Sequence, residues 1–554
     1  VKKTLLSALA VALLLASTAP ARAQDAPKPF AIVALAGYDE LRNDVDFIGQ
    51  LSDNPDLVKS LDGIVALFTQ FQGLAGLDKS KPLGVSIATD GQSFQALGFV
   101  PVTDIKKLFG ALTNYIGQPE DKGDGLYEIN AGNVTAYAKV KNGWAYISQT
   151  EDGLATLPSD PGKLLGSMTK EYDVAARLNV QNVPKAFRDM FVDKFKEGME
   201  GGLRQKGGDV TDEQREMLRK QADQLFAAVN ELDEITVGLS IDSKGRRLFF
   251  DTSITAVPGS KTAKQMHAKP AGKSGFAGFL EGEDVLAEVH IFSGIGEDDI
   301  ANLASTIASA KPAIEKQIDD DDDLEDGEEK TLVKGLVNDL LDVATATVKE
   351  GIVDGGLVIT DEAPFTLVIG AHVAQPEKLE AVLKKAVNHA LKKKDKPEGL
   401  EIEWDSDEHK GVRFHTFTFP IPDKDDDAKQ AKEILGDDVE IVFGFGKKSV
   451  FFALGEDGVD TITDVIDESA SADEPEFPAE VNIYLLPILE FAADQQPDNK
   501  ILGILAKQLA ESEKDRIRIT SRLIPNGSLG RFEAEEGVLK LIGAAAKLGQ
   551  GGGR

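Results

Sequence analysis

Along this chain apolar residues alternate singly with polar or small ones in some stretches and recur at three- and four-residue intervals in others. Ile235, Val237, Leu239 and Ile241 alternate with Thr236, Gly238 and Ser240. That spacing predicts a strand with one buried face and one wetter face. A turn at 242–245 and a second strand at 247–254 complete a hairpin. Leu57, Leu61, Ile64, Val65 and Phe68 follow the helical period, and Asn54 before Pro55 supplies an N-cap and a first-turn proline. Thr211, Asp212, Glu213 and Gln214 form a capping box for a helix running to Leu232.

The same order of elements occurs twice. An apolar strand at 30–36 runs into a helix at 38–51, and 285–292 runs into 297–307. A longer helix follows each, the second near 330–349. A hairpin comes next, with its second strand at 94–102 or 365–373. The helix after it opens with Thr103 as N-cap in the first stretch and with Pro376 at the first helical position in the second. Residues 85–112 set over 356–383 without gaps share 7 of 28 positions, Thr89-Asp90 and Thr360-Asp361 among them. A further hairpin joins 135–140 to 144–148 through Asn142-Gly143, a strong two-residue turn signal. Its counterpart joins 439–445 to 450–454. Glu151-Asp152-Gly153 and Glu456-Asp457-Gly458 then open a short helix, where its dipole favours acids as caps. A single strand follows around Ala176 or Ile483, and a last hairpin at 235–254 or 517–534 closes each copy.

Hairpins interspersed with helices predict an α+β fold of two homologous halves, each a mainly antiparallel sheet covered on one face by helices. The first repeat spans 24–257 and the second 276–548. Residues 258–275, rich in Gly, Lys, Ala and Ser, are expected to be a linker. Acidic loops at 319–329 and 423–427 interrupt the second repeat, and 549–554 is expected to be a disordered tail.

Residues 1–23 have the pattern of a cleavable secretory signal. Lys2 and Lys3 precede an apolar run from Leu5 to Ala16, and Ala21-Arg22-Ala23 sets cleavage after Ala23. A spanning helix needs about 20 apolar residues, so this run is too short and no later stretch is long enough. The expected location is extracytoplasmic, periplasmic or secreted. The plan of signal peptide, strand–helix entry, paired hairpins and Glu-Asp-Gly helix starts resembles a loose group of large exported bacterial proteins of unknown function. That resemblance brings no catalytic residue to this chain. The formal net charge of −32 repels nucleic acid and anionic headgroups and allows weak binding of divalent cations. With no cysteine, disulfides, thiol nucleophiles and thiolate metal sites are excluded.

Several motifs invite a chemical role. Ser167-Met168-Thr169-Lys170 has the S-x-x-K spacing of penicillin-binding proteins and serine β-lactamases. Ser52-Asp53-Asn54 and Lys273-Ser274-Gly275 echo that family's other motifs. The chemistry needs Ser167 at a helix start with Lys170 one turn on, whereas a strand around Val174 follows at once and the S-D-N lies upstream. A polar loop explains the match better. Gly444 to Ser449 has a P-loop composition without its spacing, so a hairpin turn is expected. The histidines, His267, His290, His372, His389, His409 and His415, form no close ligand pair. His409 and His415 could meet in a hairpin near Glu401 or Glu403, but zinc needs three or four converging ligands. In 322–333, Gly327 fits the sixth position of a calcium loop, while Leu324 and Val333 occupy positions that need oxygen ligands. Asn133-Val134-Thr135 is a glycosylation sequon in an expected strand.

No catalytic, cofactor-binding or metal-binding residue is therefore assigned from sequence, and no cofactor. The expectation is an exported, non-enzymatic protein with a binding or structural role. One alternative is a carrier holding a lipid or other apolar ligand in a sheet–helix groove. Another is a hydrolase whose groups converge only in the fold.

Overall fold

The computed structural model describes residues 28–551 apart from 53, 90, 92, 167, 206–222, 224–225, 283, 323, 325–326, 362, 393–398, 422–425 and 513. The signal at 1–23, Ser167 and the capping box at 211–214 lie outside the described residues. The chain forms two compact units, residues 1–263 with 524–554, and residues 264–523.

The first unit is built from β1 (Pro29–Leu35), β2 (Leu83–Thr89), β3 (Phe94–Pro101), β4 (Glu120–Gly123), β5 (Leu126–Ala131), β6 (Val134–Lys141), β7 (Trp144–Ser148), β8 (Val174–Asn179), β9 (Leu232–Asp242) and β10 (Arg247–Ala256). They pair antiparallel in the order β4-β5-β6-β7-β3-β2-β1-β8-β9-β10. The second unit contains β11 (Val285–Gly294), β12 (Ile352–Thr360), β13 (Leu367–His372), β14 (Glu401–His409), β15 (Val412–Pro420), β16 (Asp438–Phe445), β17 (Ser449–Leu454), β18 (Ala479–Tyr484) and β19 (Arg516–Ile524). Their order is β14-β15-β16-β17-β13-β12-β11-β18-β19, again antiparallel throughout. The fold is α+β.

The chain's last strand, β20 (Gly527–Glu535), belongs to the first unit. It pairs with β10 from Arg247↔Glu535 to Thr255↔Gly527. At the centre of that seam Arg531 sits directly opposite Asp251. The closing helix Glu536–Gly551 runs into the stretch expected to be a tail from Gly549; residues 552–554 lie outside the described set.

Local chemistry explains most element ends, and it moves several of the expected ones. Asn142 and Gly143 both have positive φ, 54° and 77°, the handedness a two-residue hairpin turn needs. The helix expected to begin at Pro55 starts at Leu57, because residues 54–56 form a turn ahead of it. Asp104, not Thr103, caps the helix Ile105–Ile116, its carboxylate accepting from the N–H groups of Lys106 and Lys107. A carboxylate is the stronger acceptor at a helix start. Neither Glu151 nor Asp457 caps through its side chain. The expected linker carries a short helix, Lys261–Met266.

The strands belong to one 20-stranded antiparallel sheet, and in each unit one of its faces is well covered. In the second unit Val358, Val368, Phe414, Val442, Phe451 and Ala453 pack under Phe276, Phe279 and the helix Gly458–Ser471. In the first, Ile32, Ala34, Ala175 and Phe249 pack under Leu165, Met168 and Tyr172. The opposite face is packed closely at one end. Helix Ile105–Ile116 packs there on Tyr127, Ile129, Ala138 and Ala145. Helix Pro376–Ala390 does the same in the second unit, where Glu380 bonds His415 at 3.2 Å.

Candidate functional site

Beyond those helices the second face is apolar and open. Because side chains alternate across a strand, the pairing register assigns each residue to a face. On β11, β12, β13, β18 and β19 this face carries Val289 and Ile291, then Val353, Leu357 and Ile359, Leu367 and Ile369, Val481 and Ile483, Ile517 and Ile519. No ionisable side chain interrupts it on these strands. Yet none of these residues is buried, and Ile291, Val353, Ile369 and Ile519 are 39, 42, 38 and 44% exposed. β11, β12, β13 and β18 are interior strands, so their side chains gain no exposure from a sheet edge. Helix Leu485–Gln495 reaches the same side at one point, where Phe491 meets Phe365 at 4.9 Å between ring centroids.

The first unit also exposes apolar residues on one face. Val33, Leu178, Phe250 and Phe532 are exposed large apolar residues on one face, with Val33 opposite Val85 and Phe250 opposite Phe532. The alternation at 235–241 predicted its apolar side as the buried one. The structure reverses this. Thr236 and Gly238 are buried, Gly238 beneath Tyr172, while Ile235, Val237, Leu239 and Ile241 stay half-buried. Side chains packed on the mixed face bury it, and the apolar one is only half-covered. Soluble chains rarely expose contiguous apolar area of this kind without a partner or ligand.

The polar clusters are of a different sort. Ser274, His290 and Asp354 converge in the second unit. Ser274 Oγ donates to Asp354 Oδ1 at 2.6 Å, lies 2.8 Å from His290 Nε2 and accepts from Phe276 N–H at 3.0 Å. A catalytic relay needs the hydroxyl on one imidazole nitrogen and the carboxylate on the other. Here the serine proton goes to the carboxylate, and His290 Nδ1 has no partner. The geometry anchors residues 274–276 to the sheet. Burial holds the His290 pKa below its ordinary value, against the pull of Asp354 and Glu480, so its imidazole is neutral at pH 7.

Glu380, Asp405 and His415 form the one set of three metal-type ligands among the described residues with mutually close donor atoms. The two carboxylates approach opposite ring nitrogens of His415, and Nδ1 already accepts from the Asp405 N–H at 3.0 Å. Lys384 and Arg413 occupy Glu380 at 2.8 and 2.6 Å. This is an ion-pair network that holds helix Pro376–Ala390 on the sheet.

Other candidates separate. His409 bonds Asp467 on helix Gly458–Ser471 at 2.5 Å, whereas His415 faces helix Pro376–Ala390. They lie on opposite faces of β14–β15, because pairing sets His409 against Val412 and leaves His415 three residues on. Neither Glu401 nor Glu403 joins them; Glu403 pairs with Thr416. Lys170 lies in the four-residue helix Met168–Glu171, and Ser52 ends helix Tyr38–Leu51. Gly446 to Ser449 is a turn, closed by Gly446 N–H to Ser449 O at 2.9 Å. Gly327 ends a loop between the helices Glu297–Asp319 and Glu328–Lys349, and Asn133 is an exposed turn residue.

Two features escaped the sequence. The open face could not be read because alternation shows which side is apolar, not which side a helix covers. The second is a cavity on the covered face at β11, β18 and β19, floored by Glu288, Glu480 and Asn482. Its signal was present: Glu288 and His290 interrupt the apolar run of β11, and Glu480 and Asn482 that of β18. Comparison with protein-family models, with curated proteins and with solved structures finds no match to this chain.

Proposed function

We propose that this is an exported, non-enzymatic carrier that holds an apolar ligand, such as the acyl chain of a lipid, against the open sheet faces. The observation that carries this reading is the uncovered face around Ile291, Val353, Ile369 and Ile519. An acyl chain laid there gains about 0.8 kcal/mol per buried methylene, with no ionisable side chain to desolvate on that face of those strands. The proposal includes removal of residues 1–23 and an extracytoplasmic location.

It also includes duplication of one unit. What supports it is the order of connection. The strands run fourth-fifth-sixth-seventh-third-second-first-eighth-ninth in both units. Helices Ile105–Ile116 and Pro376–Ala390 take the same place in that order. Two apolar faces per chain follow from it.

The test is native mass spectrometry of the full chain purified without detergent, together with displacement of a fluorescent fatty acid. A co-purifying lipid mass and saturable displacement are expected, with at least tenfold weaker binding in an Ile291→Glu/Ile369→Glu variant. Absence of both a lipid mass and saturable probe binding would overturn the reading.

A further inference from the structure

The cavity on the covered face of the second unit has a volume of about 330 Å³, within the range of small-ligand sites. Its lining sets six carboxylates, Glu281, Glu288, Asp473, Glu474, Glu476 and Glu480, against one guanidinium, Arg516. An acidic lining alone describes a solvated surface. The floor says more.

Glu288 and Asn482 face each other across β11 and β18, and each is 3% exposed. Asn482 Nδ2 donates to Glu288 Oε1 at 2.8 Å and to Glu480 Oε1 at 3.1 Å. Both its donor hydrogens are thereby used and its orientation is fixed. Arg518 Nε also donates to Glu480 Oε1, at 2.7 Å. Two acceptors are left over: Glu288 Oε2 and Asn482 Oδ1 are buried with no hydrogen-bond partner. Native structures rarely leave buried acceptors unmet, and both residues line the cavity.

We propose that this cavity binds the primary ammonium group of a small organic cation, with Glu288 Oε2 and Asn482 Oδ1 as its buried acceptors and the surrounding carboxylates drawing it in. An ammonium brings three donors and no acceptor, which matches a floor that has acceptors to spare. A hydroxyl or amide would leave the charge of the lining uncompensated. A divalent metal is the poorer fit. It needs six or more oxygens at about 2.0–2.6 Å, and the described acids and histidines with mutually close donor atoms lie elsewhere, at Glu380, Asp405 and His415. Burial also raises the proton affinity of Glu288, so the residue gains most from a positive neighbour.

The experiment is calorimetric titration of the full chain with 1,4-diaminobutane at pH 8 and low salt, beside 1,4-butanediol and calcium chloride. Saturable binding of the diamine is expected and none of the diol. Glu288→Gln should weaken it at least tenfold, and Glu476→Lys severalfold. Glu476 is exposed, so its variant reads charge without endangering the fold. No saturable diamine binding, equal affinity in both variants, or variant-sensitive calcium binding in place of the diamine would each overturn the proposal. The readout is a charged ligand, so it stands or falls separately from lipid carriage.

Discussion

The covered sheet faces of the two units both bury charge, and they treat it in opposite ways. On β10, Asp251 is 1% exposed with every contact made. Its Oδ1 accepts Arg531 Nε at 2.8 Å, and its Oδ2 accepts Arg531 Nη2 at 2.8 Å and the Tyr172 hydroxyl at 3.0 Å. The guanidinium carbon stands 4.0 Å from the Phe249 ring centroid. On β11, Glu288 is as deeply placed, yet one oxygen has no partner. The cause is the residue opposite. Asp251 faces an arginine whose planar fork fills both oxygens. Glu288 faces an asparagine whose donors are divided between two carboxylates. A closed network fixes which strands pair; an open one keeps acceptors for a ligand.

Breaking the closed network should give the largest effect. Arg531→Met leaves Asp251 buried without a counter-charge and should cost about 3–5 kcal/mol in urea unfolding. The double change Asp251→Leu/Arg531→Met should recover most of that loss, because a matched apolar pair avoids desolvation altogether. A single-variant cost below about 1 kcal/mol would show that the seam does not depend on this pair.

A second buried acid in the first unit is half-way between the two cases. Asp44 is buried, its Oδ2 has no partner, and it is hydrogen-bonded to Asp173. Burial first, and then the charge of Asp173, push its pKa up to about 7 from an ordinary 3.8. Asp173 meanwhile accepts the Ile241 N–H at 2.6 Å. In the unfolded chain Asp44 loses its proton near its ordinary value. Between there and about pH 7 the native state therefore binds more protons, and stability falls as pH rises. Asp44→Asn should remove this fall, leaving the variant on the order of 2–4 kcal/mol better off relative to wild type at pH 8 than at pH 4. A difference in unfolding free energy that is flat with pH would remove Asp44 from the comparison.

How much of this was legible in the sequence depended on range. Strands and hairpins were, since alternation and turn chemistry act over a few residues: Asn142-Gly143 sits where the turn was expected. Caps were less so, because Thr103 and Asp104 compete for one helix start and only geometry picks the winner. The final strand's partner was illegible. β20 lies about 280 positions from its partner β10, and nothing local to Arg531 names Asp251. Glu288 and Asn482 likewise read as isolated polar residues until pairing sets them face to face. The open face failed for the plainest reason: the 235–241 alternation has the same pattern whichever side the helices cover.

That open face gives the third test. Ile291→Glu and Ile519→Glu place charge where the residues are already two-fifths exposed, so stability should change by no more than about 1 kcal/mol while lipid retention is lost. Val368→Glu, on the covered face of β13, should instead unfold the unit. If the Ile variants destabilise as strongly as Val368→Glu, the two faces do not differ in cover.

The smallest expected effect is also the sharpest. Glu288→Gln removes a charge that burial disfavours and adds an amide next to the unmet oxygen of Asn482. Stability should hold or rise, within about 1 kcal/mol. The sign depends on pH. Burial raises the Glu288 pKa, with Glu480 adding to it against the hydrogen bonds of Asn482 and Tyr484, so the native state resists ionisation that the unfolded chain accepts. The advantage of the variant should therefore be absent in acid, below the ordinary carboxylate range, and grow as pH rises through it. Asp251→Asn should instead cost stability, because its carboxylate is the partner of Arg531. If both substitutions destabilise at pH 8 by the same amount, Glu288 is held as firmly as Asp251 and has no acceptor to offer a ligand.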